Sequence, residues 1–312
     1  MTVDFKGRVA IVTGAGVGLG RSHALGLAER GARVVVNDLG AARDGTGSSD
    51  AAMDVVKEIR AAGGHAIANG ANVADADQVQ NMVDEAIAEF GHVDILINNA
   101  GILRDKTFAK MSLEDFKTVV DVHLMGSVNC THALWRHMLE REYGRIVLTS
   151  SSSGLYGNFG QANYGAAKSA MLGLMNVLHH EGSRKNVRTN VLAPTAVTRM
   201  TEELFPPETH ALLGPETITP GVLALVAEDA PSKMMLGAGG GSFAEIKVYE
   251  TPGITLDGDD LTADNVAAQM ARIRDPQGQT EMSGAFAQTQ KYMQAIAAIR
   301  GIDLNKKDEP HA

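Results

Sequence analysis

The sequence predicts an α/β protein, a single doubly wound parallel sheet with a C-terminal helical extension, on three observations. Short apolar runs alternate with helical segments from Arg8 to about Leu192. The first run, Val9-Ala-Ile-Val12, leads straight into a glycine-rich turn and then an amphipathic segment over residues 21–30. No proline-rich or low-complexity linker interrupts the alternation, so residues 1–312 read as one domain with 251–312 as its extension.

The turn, Thr13-Gly14-Ala-Gly-Val-Gly18-Leu19-Gly20, has the order strand, glycine turn, helix, which suits a phosphate. Glycine lets the backbone approach a pyrophosphate closely, and a helix N-terminus offers unpaired N–H groups and a positive dipole end. The spacing is G-x-x-x-G-x-G, and no frame fits the commoner G-x-G-x-x-G. A purely structural bend uses the same glycines. The second run, Arg33-Val-Val-Val-Asn37-Asp38, ends in a carboxylate 18 residues past Gly20, where an acid reaches the adenosine ribose hydroxyls. That carboxylate repels a 2′-phosphate, and Val17 stands where a phosphate-binding arginine is expected for NADP, so the predicted cofactor is NAD. The alternative for Asp38 is a turn residue before Leu39-Gly40.

Residues 40–50, rich in Gly, Ser and Asp, read as a loop, 51–62 as a helix, 65–68 as a strand, 77–90 as a helix and 93–97 as a strand. The fourth strand ends in Asn98-Asn99-Ala100-Gly101, whose amides and small residues suit a flat cofactor at the carboxyl end of a parallel strand and equally suit a turn. Ser112 with Asp115 marks the start of a helix running through Leu124, and a separate helix covers 129–141. Arg145-Ile-Val-Leu148 is a fifth strand followed by the hydroxyl run Thr149-Ser150-Ser151-Ser152-Ser153. Residues 187–192 form a sixth strand ending before Ala193-Pro194-Thr195, 242–249 form the last, and Thr262 caps a helix to Arg272.

Tyr164 and Lys168 lie four residues apart, so on a helix they project from one face. Ionising a tyrosine of pKa about 10 near pH 7 requires roughly 4 kcal/mol. An ammonium about 5 Å away at an effective dielectric of about 20 supplies roughly 3 kcal/mol. Taken alone, the pair fits equally a packed tyrosine beside a solvated lysine.

The net charge of −9 and pI near 5.6 argue against nucleic acid as a partner. No apolar stretch of transmembrane length and no leader pattern stand out, so a soluble cytoplasmic protein without membrane insertion is expected. The sole cysteine, Cys130, allows no intrachain disulfide, and the ten histidines show no zinc-site spacing, so no metal is expected.

Thr13-Gly14-x-x-x-Gly18-x-Gly20, Asn98-Asn99-Ala100-Gly101, Ser151 and Tyr164-x-x-x-Lys168 together resemble the short-chain dehydrogenase/reductase family. Val36-Asn-Asp-Leu-Gly40, Asn98-Asn-Ala-Gly-Ile-Leu-Arg-Asp105 and Tyr156-Gly-Asn-Phe-Gly-Gln-Ala-Asn-Tyr164 are similar to its branch of (3R)-hydroxyacyl-CoA and 17β-hydroxysteroid dehydrogenases. The resemblance implies a Rossmann-type fold and NAD-dependent interconversion of a secondary alcohol and a ketone on a lipid-like substrate, in a homodimer or homotetramer. It implies that Tyr164 is the general acid/base, that Lys168 lowers its pKa and holds the nicotinamide ribose, and that Ser151 bonds the reacting oxygen. Gly14, Gly18, Leu19, Gly20, Asp38, Asn72, Val73, Asn99, Ala100, Gly101, Tyr164, Lys168, Pro194 and Thr198 are the implied cofactor contacts. His123 stands where the family usually has asparagine, either as a relay for a proton-carrying water or as a packed helix histidine. Thr195 replaces the usual glycine after Pro194. A lid over 200–235 with Leu204 and Phe205 suits a greasy substrate or a subunit contact. Arg104, Lys106 and Lys110 suit CoA phosphates or a solvated helix entry.

Overall fold

The computed structural model describes residues 3–47, 49–197 and 206–304, with nothing stated of the Thr209 side chain. In chain order the first half of the sheet and its helices are β1 (Val9–Thr13), α1 (Gly18–Glu29), β2 (Arg33–Asn37), α2 (Ala51–Ala61), β3 (His65–Asn69), α3 (Ala76–Phe90) and β4 (Ile95–Asn98). Then come α4 (Leu113–Val120), a π-helical turn (Asp121–Met125), α5 (Gly126–Glu140), β5 (Gly144–Thr149), α6 (Ser152–Tyr156), α7 (Ala162–Gly182) and β6 (Val187–Thr195). A helix α8 (Thr219–Leu225) precedes the hairpin of β7 (Met235–Gly239) and β8 (Ser242–Ile246).

The strands form one eight-stranded sheet in the order β3-β2-β1-β4-β5-β6-β7-β8. All neighbours pair parallel except β7 with β8. The order reverses between β1 and β4, so the strand ends there diverge and leave the crevice in which open α/β sheets take ligands. Successive residues in each strand face opposite sides, which explains why the runs are apolar throughout. Ala10, Val12, Val34, Val36, Ile95 and Ile97 pack toward α1, α2 and α8. Val9, Ile11, Val35 and Leu96 pack with Val79, Met82, Leu134, Met171 and Met175 of α3, α5 and α7.

Two expectations change. The predicted break between a helix ending at 124 and another starting at 129 is absent, because the π turn joins α4 to α5 without interruption. Gly126 there is a packing glycine, since a Cβ would come within 2.7 Å of Val73. The last strand ends at Ile246, and Tyr249–Glu250 instead pairs antiparallel as β9 with β10 (Thr280–Glu281). α8 and β7 carried no clear signal, β7 because glycines interrupt Met235-Leu-Gly-Ala-Gly239.

The chain divides into two compact units, Met1–Ile246 and Lys247–Ala312. The second holds β9, β10, α9 (Ala263–Ala268), α10 (Met270–Ile273) and α11 (Ala285–Arg300). Within it Glu250 accepts from Lys291 Nζ at 2.7 Å and from the Tyr292 hydroxyl at 3.1 Å, and Asp257 takes a bidentate pair from Arg300 at 2.7 and 2.9 Å. Among the described residues no helix is long and apolar enough to cross a membrane.

Gly20 lies where α1 crosses the ends of β1 and β4, and a Cβ on it would sit 2.2 Å from the Gly14 carbonyl oxygen and 2.5 Å from Asn99 Nδ2. Gly20→Ala is therefore expected to lower the unfolding free energy by about 1–3 kcal/mol in a urea titration, the cost of forced overpacking. Gly70→Ala, whose Cβ meets nothing within 4 Å, is the control and should stay within about 0.5 kcal/mol of the parent.

Candidate active site

Ser151 ends the segment after β5 and caps α6, its backbone extended at φ −168° and its Oγ accepting from Ser153 N at 3.2 Å. α7 begins eleven residues later, at Ala162, and presents Tyr164 and Lys168 one turn apart. The fold brings the three together. Ser151 lies near enough to the Tyr164 phenol to act on its ionisation, and Lys168 Nζ lies 5.7 Å from the Tyr164 ring centre. Lys168 is buried, with 4% of its surface exposed, and its Nζ donates to the Thr149 carbonyl at 2.6 Å. Ser150 ties the same helix to β5, its Oγ donating to the Lys168 carbonyl at 2.7 Å. Gly154 permits this approach, because a Cβ there would stand 2.7 Å from Lys168 Cβ.

Burial dominates the electrostatics. It pushes the Lys168 ammonium down to about 7. It also pushes the Tyr164 phenol up, opposed by the Ser151 hydroxyl and reinforced by the Asp105 carboxylate. Without the cofactor, burial outweighs any help from Lys168 in setting the direction of the Tyr164 shift.

His123 sits inside the π turn, 2% exposed, with its ring edge-on to Tyr164 at 5.1 Å and 88°. Its Nε2 lies 2.8 Å from the Ile102 carbonyl and 3.1 Å from the Ile102 amide, so the tautomer decides which of the two it bonds, and Nδ1 is buried with no partner among the described residues. Desolvation, with Lys168 adding to it, holds its pKa well below the ordinary value and keeps the ring neutral. Gly101 is required beside it, since a Cβ would meet the ring at 2.2 Å. His123 is thus packed and hydrogen-bonded, with one ring nitrogen left unpartnered among the described residues.

A cavity of about 370 Å³ opens at the β1/β4 switch point. Its lining includes Gly14, Gly18, Leu19, Asp38, Asn72, Val73, Asn99, Ala100 and Gly101 of the expected cofactor contacts. Gly14 and Gly18 have φ of +60° and +55°, the left-handed region where glycine is favoured. No side chain caps the N-terminus of α1, which leaves its first amides for an anion. Asp38 is held by two backbone amides, Gly16 N and Gly40 N, each 2.7 Å from a different carboxylate oxygen. Asp38 thus holds the turn and also lines the cavity, each oxygen keeping a lone pair for a further donor. Glycine turn, free helix N-terminus and fixed carboxylate fit a dinucleotide. Ser151, Tyr164 and Lys168 line neither this cavity nor the larger clefts of about 520 and 910 Å³ beside α1.

Other expected residues fall elsewhere. Gly20 does not line the cavity and acts by close packing. Pro194 lies in β6, which continues through Thr195 in register with Gly239, so replacing the usual glycine leaves a regular strand. Thr198, Leu204 and Phe205, with most of the front of the expected lid, lie outside the described residues. Arg104 lines the cavity but is engaged, donating to the Asp44 carbonyl and to Asp115 at 3.2 Å each. Lys106 shares that Asp115 at 3.1 Å, while Lys110 is exposed. Two of the three cations expected for CoA phosphates thus share one carboxylate. Sequence reasoning missed Ser150, Asp105, Gln161 and Asn163. Of these Gln161 is 8% and Asn163 0% exposed, and a buried amide before a helix start is the only signal that pointed to them.

The short chain dehydrogenase family pattern matches residues 8–209. A short-chain type dehydrogenase/reductase of Mycobacterium tuberculosis is 48% identical over 273 residues, 87% of this chain and 95% of that protein. Peroxisomal multifunctional enzyme type 2 of Drosophila melanogaster is 53% identical over 225 residues, 72% of this chain and 37% of that protein. The solved structure of that full-length enzyme matches with a TM-score of 0.80 at 36% identity, covering 95% of this chain and 50% of that one. This chain therefore spans at most half of the multifunctional relative. A 7α-hydroxysteroid dehydrogenase solved with NADH and 7-oxo glycochenodeoxycholic acid matches with a TM-score of 0.69 at 30% identity, over 77% of this chain and 95% of that one.

A lysine whose folded pKa lies near 7 against an ordinary 10.5 binds fewer protons folded than unfolded between those values. Its burial penalty is full below about pH 7 and fades as the pH rises toward 10.5, so stability gains with pH across that window. Comparing urea midpoints of the parent and Lys168→Met should show the difference moving in the parent's favour from pH 7 to pH 10. A difference flat across that range means that Lys168 does not titrate there.

Proposed function

The chain belongs to the short-chain dehydrogenase family, and from that premise we propose that it is an NAD-dependent oxidoreductase that interconverts a (3R)-3-hydroxyacyl-CoA and its 3-ketoacyl-CoA. The observation that carries the reaction class is the meeting of Ser151, Tyr164 and buried Lys168 where β5 and α7 converge. Bound NAD supplies the hydride acceptor, and the protein supplies position and proton handling. Ser151 and Tyr164 hydroxyls together address the substrate oxygen. In oxidation Tyr164 takes the proton of the alcohol, and in reduction it returns one to the forming alkoxide. The Lys168 ammonium, charged or neutral near pH 7, is the adjacent group able to lend or take a proton behind Tyr164.

The substrate rests on likeness to multifunctional enzyme type 2 and on the motifs shared with the hydroxyacyl-CoA branch. The likeness to a 7α-hydroxysteroid dehydrogenase favours a hydroxysteroid as the second reading. A cytoplasmic location and a homodimeric or homotetrameric assembly belong to the same proposal, on the family resemblance. The choice of NAD rests on Asp38, whose charge is fixed toward the cavity by two amides and opposes a 2′-phosphate.

Purified protein is expected to form NADH with (3R)-3-hydroxyacyl-CoAs at higher kcat/KM than with any hydroxysteroid, and the reverse ranking moves it to the steroid reading. Tyr164→Phe should lose turnover by more than tenfold while NADH affinity, read from the cofactor's own fluorescence, holds.

NAD should exceed NADP in kcat/KM by orders of magnitude in the parent, and Asp38→Ala should narrow that ratio. Equal values for both cofactors in the parent contradict the role given to Asp38.

A further inference from the structure

The loop after β4 is stitched to the start of α7. Lys106 N donates to the Gly160 carbonyl at 3.0 Å, and Asn163 Nδ2 donates to the Arg104 carbonyl at 3.1 Å. Between them Gln161 Nε2 donates to the Asp105 carboxylate at 2.7 Å, while Gln161 Oε1 accepts from Asn158 Nδ2 at 3.1 Å. Asn163 Oδ1 then accepts from the Tyr164 backbone N at 2.8 Å. These bonds fix the first turn of α7, from which Tyr164 projects. They also hold one carboxylate, Asp105, against that turn.

We propose that Asp105, anchored by Gln161, is a positioning residue that governs proton transfer at Tyr164, through the bond that sets the α7 entry and through its negative charge. Three other groups of the described residues lie beside Tyr164, and none of them carries a negative charge. His123 on the π turn is neutral, Lys168 on α7 is buried on the Thr149 carbonyl, and Ser151 beside α6 is an uncharged hydroxyl. Arg104 and Lys106, which flank Asp105, are both drawn to Asp115 near the start of α4. Asp105, held on Gln161 at the α7 entry, is the carboxylate among the described residues that opposes a Tyr164 phenolate, and burial acts in the same direction. The inference rests on the functional reading of Tyr164 but is separable from it.

Asp105→Asn keeps an acceptor oxygen for Gln161 and removes the charge, at an exposed position where folding is not at stake. Phenolate absorbance is titrated in the parent and in Asp105→Asn, with the Tyr164 step isolated as the difference from the matching Tyr164→Phe protein. The step is expected to move to lower pH by roughly 0.3–1 unit. The pH profile of kcat for alcohol oxidation should move by the same amount, with NADH affinity unchanged. Raising salt should shift the parent in the same direction and leave Asp105→Asn unmoved, because an exposed charge is screened. An unmoved step and profile overturn the inference, as does a fall in kcat with no change of midpoint, which marks a structural contact only. If the parent oxidises no alcohol, or Tyr164→Phe retains full activity, the functional reading fails while the absorbance comparison still decides the role of Asp105.

Discussion

The ends of β1 and β4 are locked together, and the site is organised around that lock. The Thr13 hydroxyl accepts from the amides of Asn99 and Ala100 at 3.0 Å each, and Asn99 Nδ2 donates to the carbonyls of Thr13 and Gly14 at 3.0 and 3.1 Å. Four bonds thus join two backbone turns that would otherwise leave buried polar groups unpaired at the carboxyl ends of central strands. The approach is so close that neither Gly14 nor Gly20 tolerates a side chain. Because strand order reverses here, closing the two turns on each other shapes the floor of the cavity and aims the α1 N-terminus into it.

A second constraint follows from taking a lysine out of water. Lys168 is kept in the interior by the Thr149 carbonyl, and its helix is tied to β5 through Ser150. A buried ammonium with one carbonyl partner is under-compensated, which is why its pKa falls to about 7. The cost is the source of its usefulness, since a group that changes charge near neutral pH exchanges protons readily. A surface lysine at the same helical spacing would stay charged and contribute little.

How much of this was legible in the sequence depended on whether a feature was local. The glycine turn, the strand-ending Asp38 and the Tyr164/Lys168 spacing all fix geometry over a few residues, and six of the sheet strands announced themselves as apolar runs. β7 did not, because its glycines depress strand propensity and its pairing with β6 and β8 is what holds it. The π turn was equally silent, since nothing in Asp121-Val-His-Leu-Met125 differs in composition from an α-helix. Arg145 opens the fifth strand like any surface charge, yet it is wholly buried on the carbonyls of Gly144, Asn186, Ala227 and Glu228, three of which come from distant segments. The weight of burial at Tyr164 was illegible for a related reason. Spacing gives the neighbour, whereas desolvation depends on everything packed around the pair.

The loop after β4 links these constraints. Its first residues belong to the strand-end lock, Arg104 reaches the cavity wall and the Asp44 carbonyl, and residues 104–106 bind the entry of the helix that bears Tyr164. A displacement at the cavity wall near Arg104 therefore cannot be absorbed by a flexible joint, because Asn163 and Gln161 on the far side are buried and hydrogen-bonded. The two halves are mechanically one piece, with cavity-lining residues on one side of a short segment and Tyr164, to which we assign the proton transfer, on the other. Rigid coupling of this kind favours chemistry in which a hydride and a proton leave the same carbon–oxygen unit, since both acceptors must keep their positions relative to one substrate.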